Sequence, residues 1–216
     1  MRQSKCIHGF RFKKSEKPGK EIFDGLEPIG IVRKWFLEAK AVEPNDPDAV
    51  ALSTVDSLGF PNVRMVLMRL ILDDGFVFFT NYESVNASEI LSSNKASFLY
   101  HWKTLRRQIR VRGEVFKEDS YLADQYFSER SLESRYGAWA SRQSKTLPNK
   151  NFLHNKIEDL KKKLGNNPER PKFWGGFKLI PFEVEFWADG KHRLHDRFRW
   201  HREKIGENWT VSRLYP

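Results

Sequence analysis

Nine residues near the C-terminus hold the densest charge chemistry of the chain. They are His192-Arg193-Leu194-His195-Asp196-Arg197-Phe198-Arg199-Trp200, with three arginines and two histidines. On an extended strand, side chains alternate between faces. Read that way, Arg193, His195, Arg197 and Arg199 project to one side, and Leu194, Asp196 and Phe198 to the other. A wall of guanidinium groups with one imidazole suits a phosphorylated or otherwise anionic ligand. A solvated, charged strand edge has the same composition, and residue types alone leave both readings open.

Other cations and amides recur on segments with strand patterns. Arg64-Met65-Val66-Leu67-Met68-Arg69 places Arg64 and Arg69 on opposite faces of one strand. Gln108 lies on another strand, and Gln143-Ser144 follows a helical stretch. Arginine can grip a phosphate while amides read the edge of a polar ring, which is what a flavin mononucleotide (FMN) asks of a site. His192-x-x-His195 has helical ligand spacing but falls in a strand pattern, so no metal site is expected. No nucleophile elbow is present.

These groups need a frame, and the pattern of apolar residues supplies one. Ile29, Val32, Trp35, Phe36 and Ala39 recur at helical spacing between Pro28 and Ala41. Strand patterns follow at Ala49–Asp56, Asn62–Leu72 and Phe76–Thr80. Turn residues at Ser57–Pro61 and Asp73-Asp74-Gly75 make these an antiparallel meander. Ser84–Ser93 reads as a short helix, Lys95–Trp102 and Arg107–Lys117 as strands. Ser120–Arg130, Leu132–Arg142 and Asn151–Leu164 read as helices. Gly176–Ala188, Arg193–Arg202 and Asn208–Leu214 read as closing strands. The order predicts an α+β chain built on an antiparallel β-barrel. Residues 1–26 read as a flexible basic arm, and 27–216 as one domain.

The chain has 216 residues and a net charge of +10. That balance implies anionic partners without choosing among nucleic acid, acidic surfaces and phosphorylated small molecules. The 17 Phe, 7 Trp and 6 Tyr exclude a disordered composition. A single cysteine, Cys6, permits no intrachain disulfide and suits a reducing, cytoplasmic compartment. No apolar run is long enough for a membrane helix, so no membrane partner is expected; the arginines and aromatics fall into separate blocks rather than one basic stripe, so no nucleic-acid partner is expected.

Taken in order, the blocks Arg64–Arg69, Phe79-Thr80-Asn81, Arg107-Gln108, Tyr126-Phe127, Gly137-Ala138-Trp139, Arg142-Gln143-Ser144, Phe173–Phe177 and Glu185-Phe186-Trp187 are similar to those of a known family. The most specific are His192–Arg197 and the terminal Arg213-Leu214-Tyr215-Pro216. From about Pro28 to Pro216 the chain resembles the pyridoxamine (pyridoxine) 5′-phosphate oxidases. The resemblance implies a split β-barrel of the FMN-binding type with peripheral helices. It also implies a homodimer with FMN between the subunits and a phosphorylated vitamin B6 substrate. It assigns Arg64, Met65, Val66, Leu67, Phe79, Thr80, Gln108, Gln143, Ser144, Trp187 and Arg197 to FMN. It assigns Arg69, Tyr126, Arg130 and Ser134 to the substrate phosphate, and Arg193, Leu194 and His195 to the substrate ring, with Arg193 and His195 in catalysis. Asp46 matches a position near that pocket.

Three departures from the family pattern stand out. Ser84-Val85-Asn86 replaces a Ser-Arg-Lys pattern, so two charge-assisted contacts to the FMN phosphate are missing, each worth roughly 1.5–3 kcal/mol. Arg69 stands where the family has Lys, and the two are not interchangeable. Arg130-Ser131-Leu132-Glu133-Ser134 lacks the family's Pro. The alternative to an active oxidase is a non-catalytic relative that binds pyridoxal 5′-phosphate or FMN weakly.

Overall fold

Proline at the first turn of α1 (Pro28–Val42) fits a position whose N–H has no intrahelical partner. Its apolar stripe buries Ile29, Val32, Trp35 and Ala39. The computed structural model describes Phe23 and residues 27–216. The expected arm at residues 1–26 therefore lies outside the described residues, save Phe23, which is buried with its ring 5.6 Å from that of Trp35.

Among the described residues, eight antiparallel strands form one sheet. In chain order they are β1 (Ala49–Val55), β2 (Pro61–Ile71), β3 (Phe76–Asn81), β4 (Lys95–Trp102), β5 (Arg107–Glu118), β6 (Trp174–Ala188), β7 (Asp196–His201) and β8 (Thr210–Leu214). The spatial order is β3-β2-β1-β4-β5-β6-β7-β8, and β3 also pairs with β6. That extra pairing, Phe76 with Leu179 through Asn81 with Trp174, closes six strands into a barrel. The 15-residue β6 makes closure possible. Its first half binds β3, its second half binds β7, and β5 runs along its length. Gly113 is needed where the β5–β6 register shifts, because a Cβ there would lie 2.3 Å from the Ile180 carbonyl oxygen.

Alternation on β1 and β5 points Val50, Leu52, Ile109, Val111 and Val115 inward. The core is aromatic, and Phe186 sits at its centre, edge-on to Trp35 at 5.2 Å and to Trp200 at 5.1 Å. Phe186→Ala is expected to cost about 3–5 kcal/mol of unfolding free energy, since it opens a cavity between two fixed rings. Urea denaturation checks this, and a loss below about 1 kcal/mol would mean the core repacks.

The helices lie outside the barrel. Ser84 caps α2 (Val85–Ser93), accepting from the Ala87 N–H at 3.4 Å. Ser120 caps α3 (Tyr121–Glu129) and Ser131 caps α4 (Leu132–Ala140). Asn149 caps α5 (Lys150–Leu164), whose last turn carries Lys161, Lys162 and Lys163. Cations there oppose the partial negative charge of the helix end. No helix among the described residues is long and apolar enough to cross a membrane.

One expected strand is corrected. Extended structure begins at Asp196, not Arg193. Lys191–Arg193 is a tight 3₁₀ turn, and His192 and Arg193 have φ of 56° and 64°. The cause lies at Gly190. Leu194 folds back so closely that a Cβ on Gly190 would meet the Leu194 carbonyl oxygen at 1.8 Å. Arg197 and Arg199 still share a strand face, but Arg193 and His195 belong to the turn.

Candidate active site

Two walls carry the residues singled out from the sequence. The first lines a cavity of about 550 Å³ between β2, β3 and the α3–α4 corner. Met65, Val66, Leu67 and Arg69 come from β2, and Phe79 and Thr80 from β3. Tyr126, Arg130 and Ser134 come from the helices, and Gln143 from the loop after α4. Phe79 and Tyr126 stack at 4.2 Å with an 11° tilt, and Phe79 and Trp174 stack at 5.5 Å with a 7° tilt.

Arg130 decides the character of this cavity. It ends α3 and lies over the Trp174 ring at 4.8 Å. Its Nη1 is buried without a hydrogen-bond partner among the described residues. Burial, and then the nearby Arg69 charge, push its pKa below the ordinary arginine value. The group nevertheless stays a cation. A buried guanidinium nitrogen without an acceptor is costly, and an anion would complete it. Arg69 is anchored differently, on Asp48 at 2.7 Å. Ser131 Oγ donates to Ser134 Oγ at 2.7 Å, which fixes that hydroxyl beside Arg130 at the cavity wall.

The second wall lies across β5, β6 and β7. Gln108 pairs with Trp187, and Trp187 pairs with Arg197, so the three share a face. Glu185 is buried and holds Arg197 by two contacts, Nη2–Oε1 at 2.6 Å and Nε–Oε1 at 2.9 Å. The His195 ring lies 4.6 Å from Trp187. Its Nδ1 sits 3.2 Å from the Gly190 N–H and 3.4 Å from Asp189 Oδ1. Leu194, His195 and the Arg213–Pro216 tail line a recess of about 420 Å³. Arg193 is exposed on the turn.

The expected set is thus divided. Met65, Val66, Leu67, Phe79, Thr80, Gln143, Arg69, Tyr126, Arg130 and Ser134 share the first cavity. Gln108, Trp187, Arg197, Leu194 and His195 belong to the second wall. Arg64 and Ser144 reach α2 instead: Arg64 meets Glu89, and Ser144 Oγ accepts from the Val85 N–H at 3.2 Å. Asp46 lines a neighbouring recess that shares Met65 with the first cavity. Trp174, Ser131, Asp48 and Glu185 were not singled out as site residues. Glu185 could have been found, since it lies two residues before Trp187 and so on its face.

Known proteins fit this geometry. The family described as pyridoxamine 5′-phosphate oxidase matches residues 37–163, and the C-terminal dimerisation region described for pyridoxine 5′-phosphate oxidase matches 174–216. The chain belongs to the pyridoxamine 5′-phosphate oxidase family. It is 54% identical over 195 residues to a pyridoxine/pyridoxamine 5′-phosphate oxidase of Ruegeria sp., covering 90% of this chain and 97% of that one. A relative of the same name from Roseobacter denitrificans is 53% identical, covering 94% of this chain and 100% of that one. Among solved structures it is similar to PhzG from Burkholderia lata in complex with tetrahydrophenazine-1-carboxylic acid. That match has a TM-score of 0.86 and 30% identity, covering 94% and 98% of the two chains. A pyridoxamine 5′-phosphate oxidase-related, FMN binding protein from Nostoc punctiforme shares the fold, at a TM-score of 0.72 and 19% identity, covering 89% and 100%.

Proposed function

We propose that this protein is an FMN-dependent oxidase that converts pyridoxamine 5′-phosphate or pyridoxine 5′-phosphate to pyridoxal 5′-phosphate. O₂ is the final acceptor and H₂O₂ is released. One observation carries the reading: Arg130, whose Nη1 is buried without a hydrogen-bond partner among the described residues, lines the same cavity as the 65–67, 79–80 and Gln143 set. A phosphate completes Arg130, with Ser134 and Arg69 as further donors. The residues fit a flavin beside it, since apolar strand residues flank the amide of Gln143 and the hydroxyl of Thr80. FMN, when bound, supplies the two-electron acceptor, and the protein supplies binding and orientation.

The active unit in this reading is a homodimer. Leu58, Phe60, Val63 and Met65 expose large apolar surface on β2 and its turn, a face suited to a second copy. The second wall, with Arg193, His195 and Arg197, lies in the segment that matches the dimerisation region. We place it over the first cavity of the partner, with Gln108, Trp187 and Arg197 on the flavin and Arg193 and His195 on the substrate ring. The lone cysteine agrees with a cytoplasmic setting. The purified protein, supplied with FMN and pyridoxamine 5′-phosphate, is expected to form pyridoxal 5′-phosphate and H₂O₂. No turnover at saturating FMN would overturn the assignment.

A further inference from the structure

The imidazole of His195 is engaged by the protein through one of its two nitrogens. Nδ1 lies 3.2 Å from the Gly190 N–H and 3.4 Å from Asp189 Oδ1. Nε2 makes no hydrogen bond among the described residues. A backbone N–H only donates, so it selects the neutral ring whose hydrogen sits on Nε2. When the ring is protonated, Nδ1–H faces the Asp189 carboxylate instead. In both states Nε2 is the nitrogen left for a ligand.

Asp189 is itself fixed from the other side. Its Oδ2 accepts from Arg106 Nε at 2.8 Å and lies 2.7 Å from Arg106 Nη2. Its N–H donates to the Arg106 carbonyl oxygen at 3.1 Å. Arg106 stands in the turn between β4 and β5, with a φ of 52°. The two carboxylate oxygens are thus divided, Oδ2 toward Arg106 and Oδ1 toward His195. The Arg106 side chain is 70% exposed, and those of Asp189 and His195 are 25% and 22% exposed. The row therefore runs inward from solvent and ends on the imidazole. Trp187, 4.6 Å from the His195 ring, presses on its face without choosing between the nitrogens.

We propose that Asp189 is a positioning residue: seated by Arg106, it fixes the orientation of His195 and keeps Nε2 toward the substrate ring. It acts only through His195. This rests on the oxidase reading, in which His195 meets that ring. Steady-state kinetics of the FMN-loaded enzyme with pyridoxamine 5′-phosphate tests it. Asp189→Asn keeps the side-chain shape and removes the charge. It should lower kcat by about 10- to 100-fold, the size of a lost charge-assisted contact. KM should stay within about threefold, because Arg130 still grips the phosphate. On the residual activity of His195→Ala, the same substitution should cost nothing further, since the group it acts through is gone. Arg106→Gln, at an exposed position, should lower kcat by about three- to tenfold and serves where Asp189→Asn does not fold. A kcat within about twofold of wild type in the variant that folds overturns the proposal, as does an equal loss on the His195→Ala background. A wild type without turnover overturns the oxidase reading, and this proposal with it.

Discussion

Arg130→Leu is expected to lower kcat/KM for pyridoxamine 5′-phosphate by about 10²–10⁴-fold, because two charge-assisted bonds of roughly 1.5–3 kcal/mol each disappear. The side chain is half-buried, its Nη1 is buried without a partner among the described residues, and it lies over Trp174. Among the described residues no carboxylate pairs with it. Arg69 cannot replace it, because Asp48 already holds Arg69 at 2.7 Å. The loss should be specific to the phosphate: kcat/KM for unphosphorylated pyridoxamine should change little. The fold should also survive, since removing an unpaired cation strands no carboxylate. Arg130→Lys keeps the charge but loses the planar fork, so it should fall between the two. Steady-state kinetics on both substrates decides the matter. An equal loss on both would show that Arg130 shapes the cavity rather than gripping phosphate.

The barrel was legible in the sequence because its strands alternate in and out and its turns carry Gly59 and Gly75. What failed was local geometry set by distant contact. Arg193–His195 reads as the start of the strand that continues into Arg197, yet Gly190 draws Leu194 back, and His192 and Arg193 are left-handed before β7 begins at Asp196. The family resemblance named candidate residues but not their partners. Glu89, Asp48 and Glu185 hold Arg64, Arg69 and Arg197, and each partnership depends on strand register or helix placement rather than on neighbouring sequence. The resemblance also named residues without saying which share a wall, and that division bears directly on how a working site is assembled.

Arg130→Leu and His195→Ala should each be nearly inactive alone, yet a mixture of the two, allowed to exchange subunits, should recover about a quarter of wild-type activity. Within one protomer, Arg130 lines the 550 Å³ cavity and His195 the 420 Å³ recess, and the two cavities share no residue. A site made by pairing one protomer's first wall with its partner's second wall therefore needs both copies. A two-fold dimer has two such sites. In a mixed dimer, one site receives both defects and the other receives neither. Random exchange makes half the dimers mixed, and half of their sites intact. Activity that stays at the level of the separate variants would mean that Arg130 and His195 act within one chain. The second wall would then have to reach the first cavity by a movement of the Lys191–Arg193 turn, whose left-handed residues and close contact at Gly190 resist such a change.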